Sequence, residues 1–115
     1  MALVLNTGVD SALLAIRRLI LEEAGHIVVT KEKDEEIARA CQNFQFDLVI
    51  IGHSLTVPVK RRIFNLARTY CKSAKVLELT SSDSGKVLHD ADSWLEIDPM
   101  QPDGLEERVN LLCRR

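Results

Sequence analysis

Apolar runs of strand length alternate with helical patterns along the whole chain. The strand-like runs are Ala2–Leu5, His26–Thr30, Asp47–Ile51, Lys75–Leu79 and Trp94–Ile97. The helical patterns that follow them are Asp10–Ala24, Asp34–Phe44, Pro58–Tyr70, Asp83–Asp90 and Asp103–Cys113. Five repeats of strand and helix with short connections predict a doubly wound α/β fold, in which helices cover both faces of a five-stranded parallel sheet.

Apolar residues at steps of three and four indicate the face that each predicted helix buries. In the first helix they are Leu13, Ile16, Ile20 and Ala24, and Gly25 ends the helix. In the later helices they are Ile37, Ala40, Cys41 and Phe44, then Ile63, Leu66, Ala67 and Tyr70, then Val87 and Leu88, and last Leu105, Val109 and Leu112. Each helix is therefore expected to pack on the sheet through one apolar side.

Length and charge narrow the classes of partner. The chain has 115 residues, 46% of them apolar and 28% charged, which is typical of one globular domain spanning residues 1–115. A net charge of -2 supplies no basic field for polyphosphate, and we interpret the cluster Lys60, Arg61 and Arg62 as a solvated helix face. No apolar run approaches the roughly 20 residues that span a bilayer. We therefore predict no nucleic-acid and no membrane partner.

The cysteines bear on the cellular compartment. Cys41, Cys71 and Cys113 are odd in number and widely spaced, and each falls within or at the end of a predicted helix. This pattern suits reduced thiols better than a disulfide framework or a zinc site. The sequence therefore predicts a reducing, cytoplasmic setting.

The run DLVIIGH, from Asp47 to His53, contains an apolar strand that ends at a glycine, Gly52. In open parallel sheets, ligands and reactive groups lie at the carboxyl ends of the strands. Asp47 begins its strand and so lies at the opposite end of the sheet. We interpret His53 as a loop residue, because no cysteine, aspartate or second histidine accompanies it nearby.

Four segments, in this order and spacing, resemble a known family: LILEEAGHIVV, FDLVIIGHSL, KVLELTSS and ADSWLEIDP. They are similar to the successive strands and loops of response-regulator receiver domains, and the resemblance covers nearly the whole chain. It implies a flavodoxin-like (βα)5 domain of two-component signalling. Receiver domains transfer a phosphoryl group to their own aspartate with the help of bound Mg²⁺, so the resemblance also implies that activity by default.

The residues at the family's reactive positions depart from this pattern. Gly52 stands at the phosphoacceptor position, and Asn6 and Thr7 stand where the family has an acidic pair that binds the metal. The position of the fifth-strand lysine falls on Ile97 or Asp98. Mg²⁺ prefers hard, anionic oxygen ligands, which these residues do not supply. The resemblance therefore indicates a degenerate receiver, a pseudo-receiver, with no catalytic residue, no metal site and no cofactor.

Two positions keep the residue types by which receivers respond to phosphorylation. Thr80 matches the switch hydroxyl and Trp94 the switch aromatic. As ordinary structural residues, Thr80 would bond backbone groups at a strand end and Trp94 would be half-buried packing. Asp10 precedes Ser11 and an apolar helix, and we predict that it caps that helix instead of binding metal.

The sequence therefore predicts a cytoplasmic protein-interaction module of a signalling pathway, which works without phosphorylation and is not an enzyme. By resemblance, its contact surface is the fourth helix, the fifth strand and the fifth helix, where the chain offers Lys86, His89, Trp94 and Glu96. A homodimer through the same surface is a further prediction.

Two alternatives from other classes stay open. One is a phosphorelay receiver with an unconventional acceptor, His53 or Asp10. The other is a small-ligand domain, because flavodoxin-like sheets also bind flavin or corrinoid. The polar turns available for such a ligand are Asn6–Gly8 and Ser81–Ser82, which form only a thin phosphate cradle.

Overall fold

Five parallel strands form one sheet in the order β2-β1-β3-β4-β5. The computed structural model describes residues 1–83, 85–97 and 103–113. The strands are β1 (Leu3–Thr7), β2 (Ile27–Lys31), β3 (Leu48–Ile51), β4 (Lys75–Thr80) and β5 (Ser93–Glu96). Every pairing between neighbouring strands is parallel. This is the predicted doubly wound, flavodoxin-like arrangement.

Helices cover both faces of the sheet, which is why the central strand β3 is apolar throughout. The helices are α1 (Ser11–Glu23), α2 (Asp34–Asn43), α3 (Val57–Tyr70) and α4 (Asp103–Leu112). In β3, Val49 and Ile51 pack into the core beneath α2 and α3, whereas Leu48 and Ile50 pack into the core beneath α1 and α4. A strand buried on both sides needs no alternation with polar residues.

Local sequence signals explain where the helices begin. The Asp10 carboxylate accepts hydrogen bonds from the amides of Ala12 (3.0 Å) and Leu13 (3.3 Å), so the predicted helix cap is confirmed. Pro58 lies in the first turn of α3, as predicted. Among the described helices, none is long and apolar enough to cross a membrane.

The predicted inner face of α1 is wrong. The helix buries Leu14, Arg17 and Leu21, whereas Ile16 is 55% exposed. Apolar residues surround most of this helix, so spacing alone did not distinguish the stripe containing Ile16 from the stripe containing Arg17. In the structure the stripe with Arg17 is buried, and the guanidinium donates hydrogen bonds to Asn6 and to the carbonyl of Thr7.

The other predicted faces hold with exceptions at the helix ends. The inward positions of α2, α3 and α4 are buried at Ile37, Ala40, Cys41, Ile63, Ala67, Leu105 and Val109. Phe44 and Tyr70 are 49% and 42% exposed, because each lies at the end of its helix, beyond the edge of the sheet.

The predicted helix at Asp83–Asp90 is absent from the described part of that segment, which omits Ser84. A side chain of β4 holds the segment instead. The buried Glu78 carboxylate accepts hydrogen bonds from the amides of Val87 (3.1 Å) and Leu88 (2.8 Å). Because these amides already donate to Glu78, a helical turn in this segment would gain fewer hydrogen bonds. A short helix also has little stability of its own.

The prediction of reduced thiols is also wrong for two of the three cysteines. Cys41, near the end of α2, and Cys71, just after α3, form a disulfide with their Cα atoms 5.1 Å apart. The two helices pack side by side on one face of the sheet, and this packing brings together residues 30 positions apart in sequence. The cysteines therefore no longer support a reducing setting.

Candidate functional site

The carboxyl edge of the sheet brings together the predicted degenerate positions. Thr7 ends β1 beside Ile51, and Gly52 follows directly. The Thr7 hydroxyl donates a hydrogen bond to the carbonyl of Ile50 (2.7 Å). Asn6, one residue earlier, is fully buried and donates through Nδ2 to the carbonyl of Leu14 (3.0 Å). These side chains are therefore committed to the protein itself.

Arg17 fills the cleft between these residues. Its side chain enters from α1, and the residue is only 5% exposed. Nη1 donates to Asn6 Oδ1 (3.1 Å) and to the carbonyl of Thr7 (3.2 Å). The oxygens at the acidic-pair positions thus already accept hydrogen bonds from a fixed cation.

Two glycines leave the space for the guanidinium. A β-carbon on Gly52 would stand 3.0 Å from Arg17 Nη2, and one on Gly8 would stand 3.3 Å from the same atom. Either side chain would crowd Arg17. Nη2 is buried and has no hydrogen-bond partner within the described part of the chain. A side chain on residue 52 and the buried arginine would therefore occupy the same volume.

The residues of this cleft do not fit the Mg²⁺ that receiver domains use. A divalent ion needs anionic oxygens around it. Gly52 has no oxygen in its side chain, Asn6 and Thr7 are neutral, and Arg17 places a positive charge among them. Within residues 1–83, 85–97 and 103–113, no group of three or more His, Cys, Asp or Glu side chains could hold a metal.

Burial shapes the titration of the cleft. Desolvation lowers the pKa of Arg17 from its ordinary value to about 10, and the negative charge of Asp10 opposes that shift. Arg17 therefore remains cationic at neutral pH. Burial also lowers the pKa of His53 from 6.5, and the positive charges of Arg17 and Lys60 lower it further. His53 is consequently neutral at pH 7.

His53 lies in the turn between β3 and α3, as predicted. Its Nδ1 atom is buried and, within the same described residues, has no partner. Asp47 lies at the far end of the sheet, where its Oδ2 accepts a hydrogen bond from the amide of Leu3 (2.8 Å). Ile97 donates its amide to the carbonyl of Thr80 (2.8 Å), and Asp98 lies outside the described residues.

A buried ion pair next to the cleft escaped the sequence prediction. Lys60 Nζ donates to Glu78 Oε2 (2.7 Å) and to the carbonyl of Leu79 (2.9 Å), and both side chains are at most 1% exposed. The prediction of a solvated basic cluster is therefore wrong for Lys60, although Arg61 is exposed and Arg62 pairs with Asp34 at the surface.

The switch-like residues occupy the neighbouring strands. Thr80 ends β4 and is 5% exposed. Trp94 in β5 is half-buried, and its Nε1 donates to the carbonyl of Leu88 (2.9 Å). Lys86 Nζ lies 4.5 Å from the centre of the Trp94 ring. The indole is thus held against the loop that replaces the predicted helix.

Of the candidate interface residues, Lys86, His89 and Glu96 are exposed, and they surround the half-buried Trp94. The structure brings them to one edge of the sheet, around β5 and the preceding loop. Arg108 of α4 reaches the same strand and donates to the carbonyl of Trp94 (2.8 Å). These residues therefore share one edge of the sheet, with a loop in place of one predicted helix; their role in binding stays a prediction.

Sequence reasoning missed the burial of Arg17, Lys60 and Glu78, although Arg17 and Glu78 each left a weak signal. Arg17 shares a stripe with Leu14 and Leu21, so a helix packed on that stripe must bury it. Glu78 interrupts the apolar strand KVLELT, where a buried carboxylate requires a cationic partner or hydrogen-bond donors.

No protein-family model and no curated protein matches this chain. Solved structures do match it. Wild-type response regulator TrrA from Thermotoga maritima, in complex with Mg²⁺-BeF, is 24% identical, with 97% of this chain and 99% of that chain covered and a TM-score of 0.79. Chemotaxis protein CheY4 from Vibrio cholerae is 20% identical, with coverages of 97% and 98% and a TM-score of 0.79.

A third match is the receiver domain of sensor histidine kinase PA1611 from Pseudomonas aeruginosa, which has magnesium coordinated in its active-site cleft. It is 13% identical, with coverages of 99% and 98% and a TM-score of 0.76. A complex of histidine kinase ThkA with response regulator TrrA also matches, at 23% identity, coverages of 97% and 98% and a TM-score of 0.78. The chain therefore has the fold of response-regulator receiver domains.

Proposed function

We propose that this chain is a degenerate receiver domain, which acts in signal transduction as a phosphorylation-independent protein-interaction module and not as an enzyme. The observation that carries this proposal is the position of Arg17. Its guanidinium lies against Gly52 and donates to Asn6 and Thr7, so a fixed cation stands where a receiver would need a carboxylate and a divalent metal.

The electrostatics of the cleft support the same proposal. Two like charges close together in a poorly solvated site repel strongly, so Mg²⁺ would have to displace Arg17 before it could bind. Arg17 would then lose its hydrogen bonds to Asn6 Oδ1 and the carbonyl of Thr7. Residue 52 is a glycine, so it has no carboxylate that could compensate for that loss.

The contacts of Trp94 and of the loop before β5 support a surface that does not depend on phosphorylation. In the proposal, Trp94 is held by its bond to the carbonyl of Leu88 and by Lys86, and Glu78 holds the amides of the same loop. These contacts involve no metal and no phosphoryl group. The surface around β5 would therefore have one shape at all times.

The partner in this proposal is a protein of a signalling pathway, contacted through Lys86, His89, Trp94 and Glu96. The complex of ThkA with TrrA is an example of a neighbour bound to a signalling protein. A pull-down from the native cell tests this surface when wild type is compared with Trp94→Ala. The matched control is Val57→Ser on α3, which changes a residue that is 46% exposed and is not one of these four contact residues.

We keep the cytoplasm as the proposed location, on the strength of the signalling role alone. The disulfide between Cys41 and Cys71 is unusual for that compartment. Its state in cells is therefore a direct check on the location.

The direct test of the proposal is intact mass after incubation with Mg²⁺ and a small acyl phosphate. We expect no added phosphoryl group on this chain, while a phosphorylatable receiver domain treated in parallel gains one. A phosphorylated form of this chain would overturn the proposal. His53→Gln and Asp10→Asn would then identify the acceptor of the alternative phosphorelay function.

The small-ligand alternative has its own readout. Asn6 and Thr7 are buried and bonded within the protein, so they leave few donors for a phosphate. We expect the purified protein to be colourless and its melting temperature to be unchanged by flavin or corrinoid. A coloured preparation would favour that alternative.

A further inference from the structure

The buried charge of Arg17 lacks a counter-ion. Its guanidinium donates to two neutral oxygens, Asn6 Oδ1 and the carbonyl of Thr7. In the part of the chain that the structure describes, it forms no ion pair with a carboxylate. The charge of Asp10 acts on it, but that carboxylate already accepts hydrogen bonds from amides at the start of α1. Buried charges in native proteins are nearly always paired, so an anion from outside the chain would complete this site.

One atom of Arg17 is directed to a place where such an anion can bind. Nη2 is buried and has no hydrogen-bond partner among residues 1–83, 85–97 and 103–113. It lies between the turn after β1 and the turn after β3, because β-carbons on Gly8 and Gly52 would stand 3.3 Å and 3.0 Å from it. Gly8 and Val9 are exposed, so a small solute can approach Nη2 through the first of these turns.

A second donor lies next to the same glycine. His53 follows Gly52 directly, and its Nδ1 atom is also buried and without a partner in the described segments. A neutral imidazole can carry its proton on Nδ1, where it donates to an anion. Helix α3 begins at Val57 on the same edge of the sheet, and its N-cap residue Thr56 makes no side-chain hydrogen bond to the helix. The positive end of the α3 dipole therefore adds to the attraction for an anion.

We propose that this place, beside Gly8 and Gly52, binds a small carboxylate, with Arg17 Nη2 and His53 Nδ1 as its donors. The charge balance favours a single negative charge over a double one. Lys60, the neighbouring buried cation, is already neutralised by Glu78 (2.7 Å), so Arg17 supplies the charge.

The size and shape of the place also favour a carboxylate. Its volume is that of the side chain that Gly52 lacks, which admits a small planar group more easily than a tetrahedral one. Two carboxylate oxygens suit two separate donors, and a hydrogen bond between ions is stronger than one between neutral groups.

His53 should make this binding stronger in mild acid. Burial and the positive charges of Arg17 and Lys60 lower the pKa of His53, and Asp10 opposes them. A bound carboxylate adds a negative charge beside the imidazole and so raises that pKa. By linkage, the carboxylate then binds more tightly as the pH falls and His53 takes up its proton.

Amide NMR of ¹⁵N-labelled wild-type protein, titrated with sodium formate, measures the binding. Sodium chloride keeps the ionic strength constant. We expect saturable shifts of the amides of Gly8, Gly52 and His53, with a Kd on the order of 1 mM. Sulfate, which is tetrahedral and doubly charged, should bind more weakly. Tighter binding of sulfate than of formate would overturn the assignment to a carboxylate.

Three variants show whether the binding belongs to this place. Arg17→Met should raise the Kd at least about tenfold, because a hydrogen bond to a charged group is lost. Arg18→Met removes an exposed arginine from the same helix and should leave the Kd unchanged. Gly52→Asp should abolish binding, because its own carboxylate takes Nη2. This last variant keeps Arg17, so it tests the site even if Arg17→Met fails to fold.

The pH dependence identifies the second donor. Wild type should bind formate several-fold more tightly at about pH 5.5 than at about pH 7.5, whereas His53→Gln should bind it nearly equally at both. Equal pH dependence in the two proteins would remove His53 from the site.

Formate that produces no saturable shift in the wild-type protein would overturn the proposal, as would binding that Gly52→Asp does not weaken. These experiments contain no Mg²⁺, phosphodonor or partner protein. Their failure would leave the proposed function unchanged, and the failure of the proposed function would leave the carboxylate site unchanged.

Discussion

The guanidinium of Arg17 and the backbone of Gly52 are in such close contact that no side chain fits between them. A β-carbon on residue 52 would stand 3.0 Å from Nη2 of Arg17 and 3.2 Å from the carbonyl oxygen of Thr7. The first neighbour is the end of a flexible side chain and the second is backbone. A substitution at residue 52 must therefore displace Arg17 or strain the end of β1.

Substitutions at Gly52 test this contact. Gly52→Ala should lower the free energy of unfolding by about 1–3 kcal/mol, because it overpacks a buried cleft. Gly52→Asp adds the same β-carbon, but its carboxylate can accept a hydrogen bond from Nη2, which otherwise lacks a partner among the described residues. We therefore expect the aspartate variant to be the more stable of the two in urea unfolding. If the alanine variant were the more stable of the two, Arg17 would not contact residue 52 in the way described.

The buried pair of Lys60 and Glu78 should dominate the stability of the β4–β5 region. Lys60→Met leaves the Glu78 carboxylate buried without its cation and should cost about 3–5 kcal/mol. Arg18→Met is the matched control, because it breaks the exposed pair with Glu22 and should cost at most about 0.5 kcal/mol. Urea unfolding measures both. Equal, small losses would show that Glu78 does not depend on Lys60.

His53 should make the protein less stable in mild acid. The unfolded chain binds a proton at the ordinary pKa near 6.5, whereas the folded pKa is lower. The unfolded state therefore takes up the proton first, and the free energy of unfolding falls as the pH drops below about 6.5 towards the folded pKa.

The comparison uses urea unfolding at about pH 7.5 and about pH 5.5, on either side of the ordinary histidine pKa. His53→Gln should lose less stability than wild type between these two values. His89→Gln, which changes an exposed histidine, should behave like wild type. If His89→Gln, and not His53→Gln, removed the loss of stability at the lower pH, the prediction for His53 would be wrong.

The disulfide between Cys41 and Cys71 should stabilise the domain. Replacing either cysteine by serine should lower the free energy of unfolding by about 2–4 kcal/mol, and the double variant should lose no more than the worse single variant. Cys113→Ser should change it by less than about 0.5 kcal/mol.

Thiol titration of protein extracted under blocking conditions reports the bond in cells. With the disulfide formed, one of the three cysteines reacts, and all three react after reduction in denaturant. Three reactive thiols before reduction would show that the bond is open in the cell, as the proposed cytoplasmic location favours.

The order of the five strands and of four helices was readable from the sequence, because strand-length apolar runs and capped helices are local signals. Asp10 and Pro58 marked the starts of their helices, and the continuous apolar run of β3 marked a strand covered on both sides. Asn6, Thr7 and Gly52, which the sequence placed at the ends of their strands, lie together at one edge of the sheet, as the parallel register requires.

The features that the sequence did not predict depend on contacts between residues that are distant in the chain. Arg17 is buried because Gly52, directly after β3, leaves space for its guanidinium. The spacing of apolar residues in α1 does not reveal that space. The loop before β5 follows from Glu78, whose carboxylate takes amides that the predicted helix would have used. The disulfide follows from how α2 packs beside α3. Each of these overrides a local preference by tertiary packing.

The cleft at Asn6, Thr7 and Gly52 should bind no divalent metal, because Arg17 fills it and none of these three residues supplies a carboxylate. Isothermal titration calorimetry with Mg²⁺, on wild type and on Arg17→Met, tests this most directly. We expect no saturable heat from wild type, and none from the variant, which also lacks the carboxylates that would bind the ion. Saturable binding of Mg²⁺ by the wild-type protein would contradict the account.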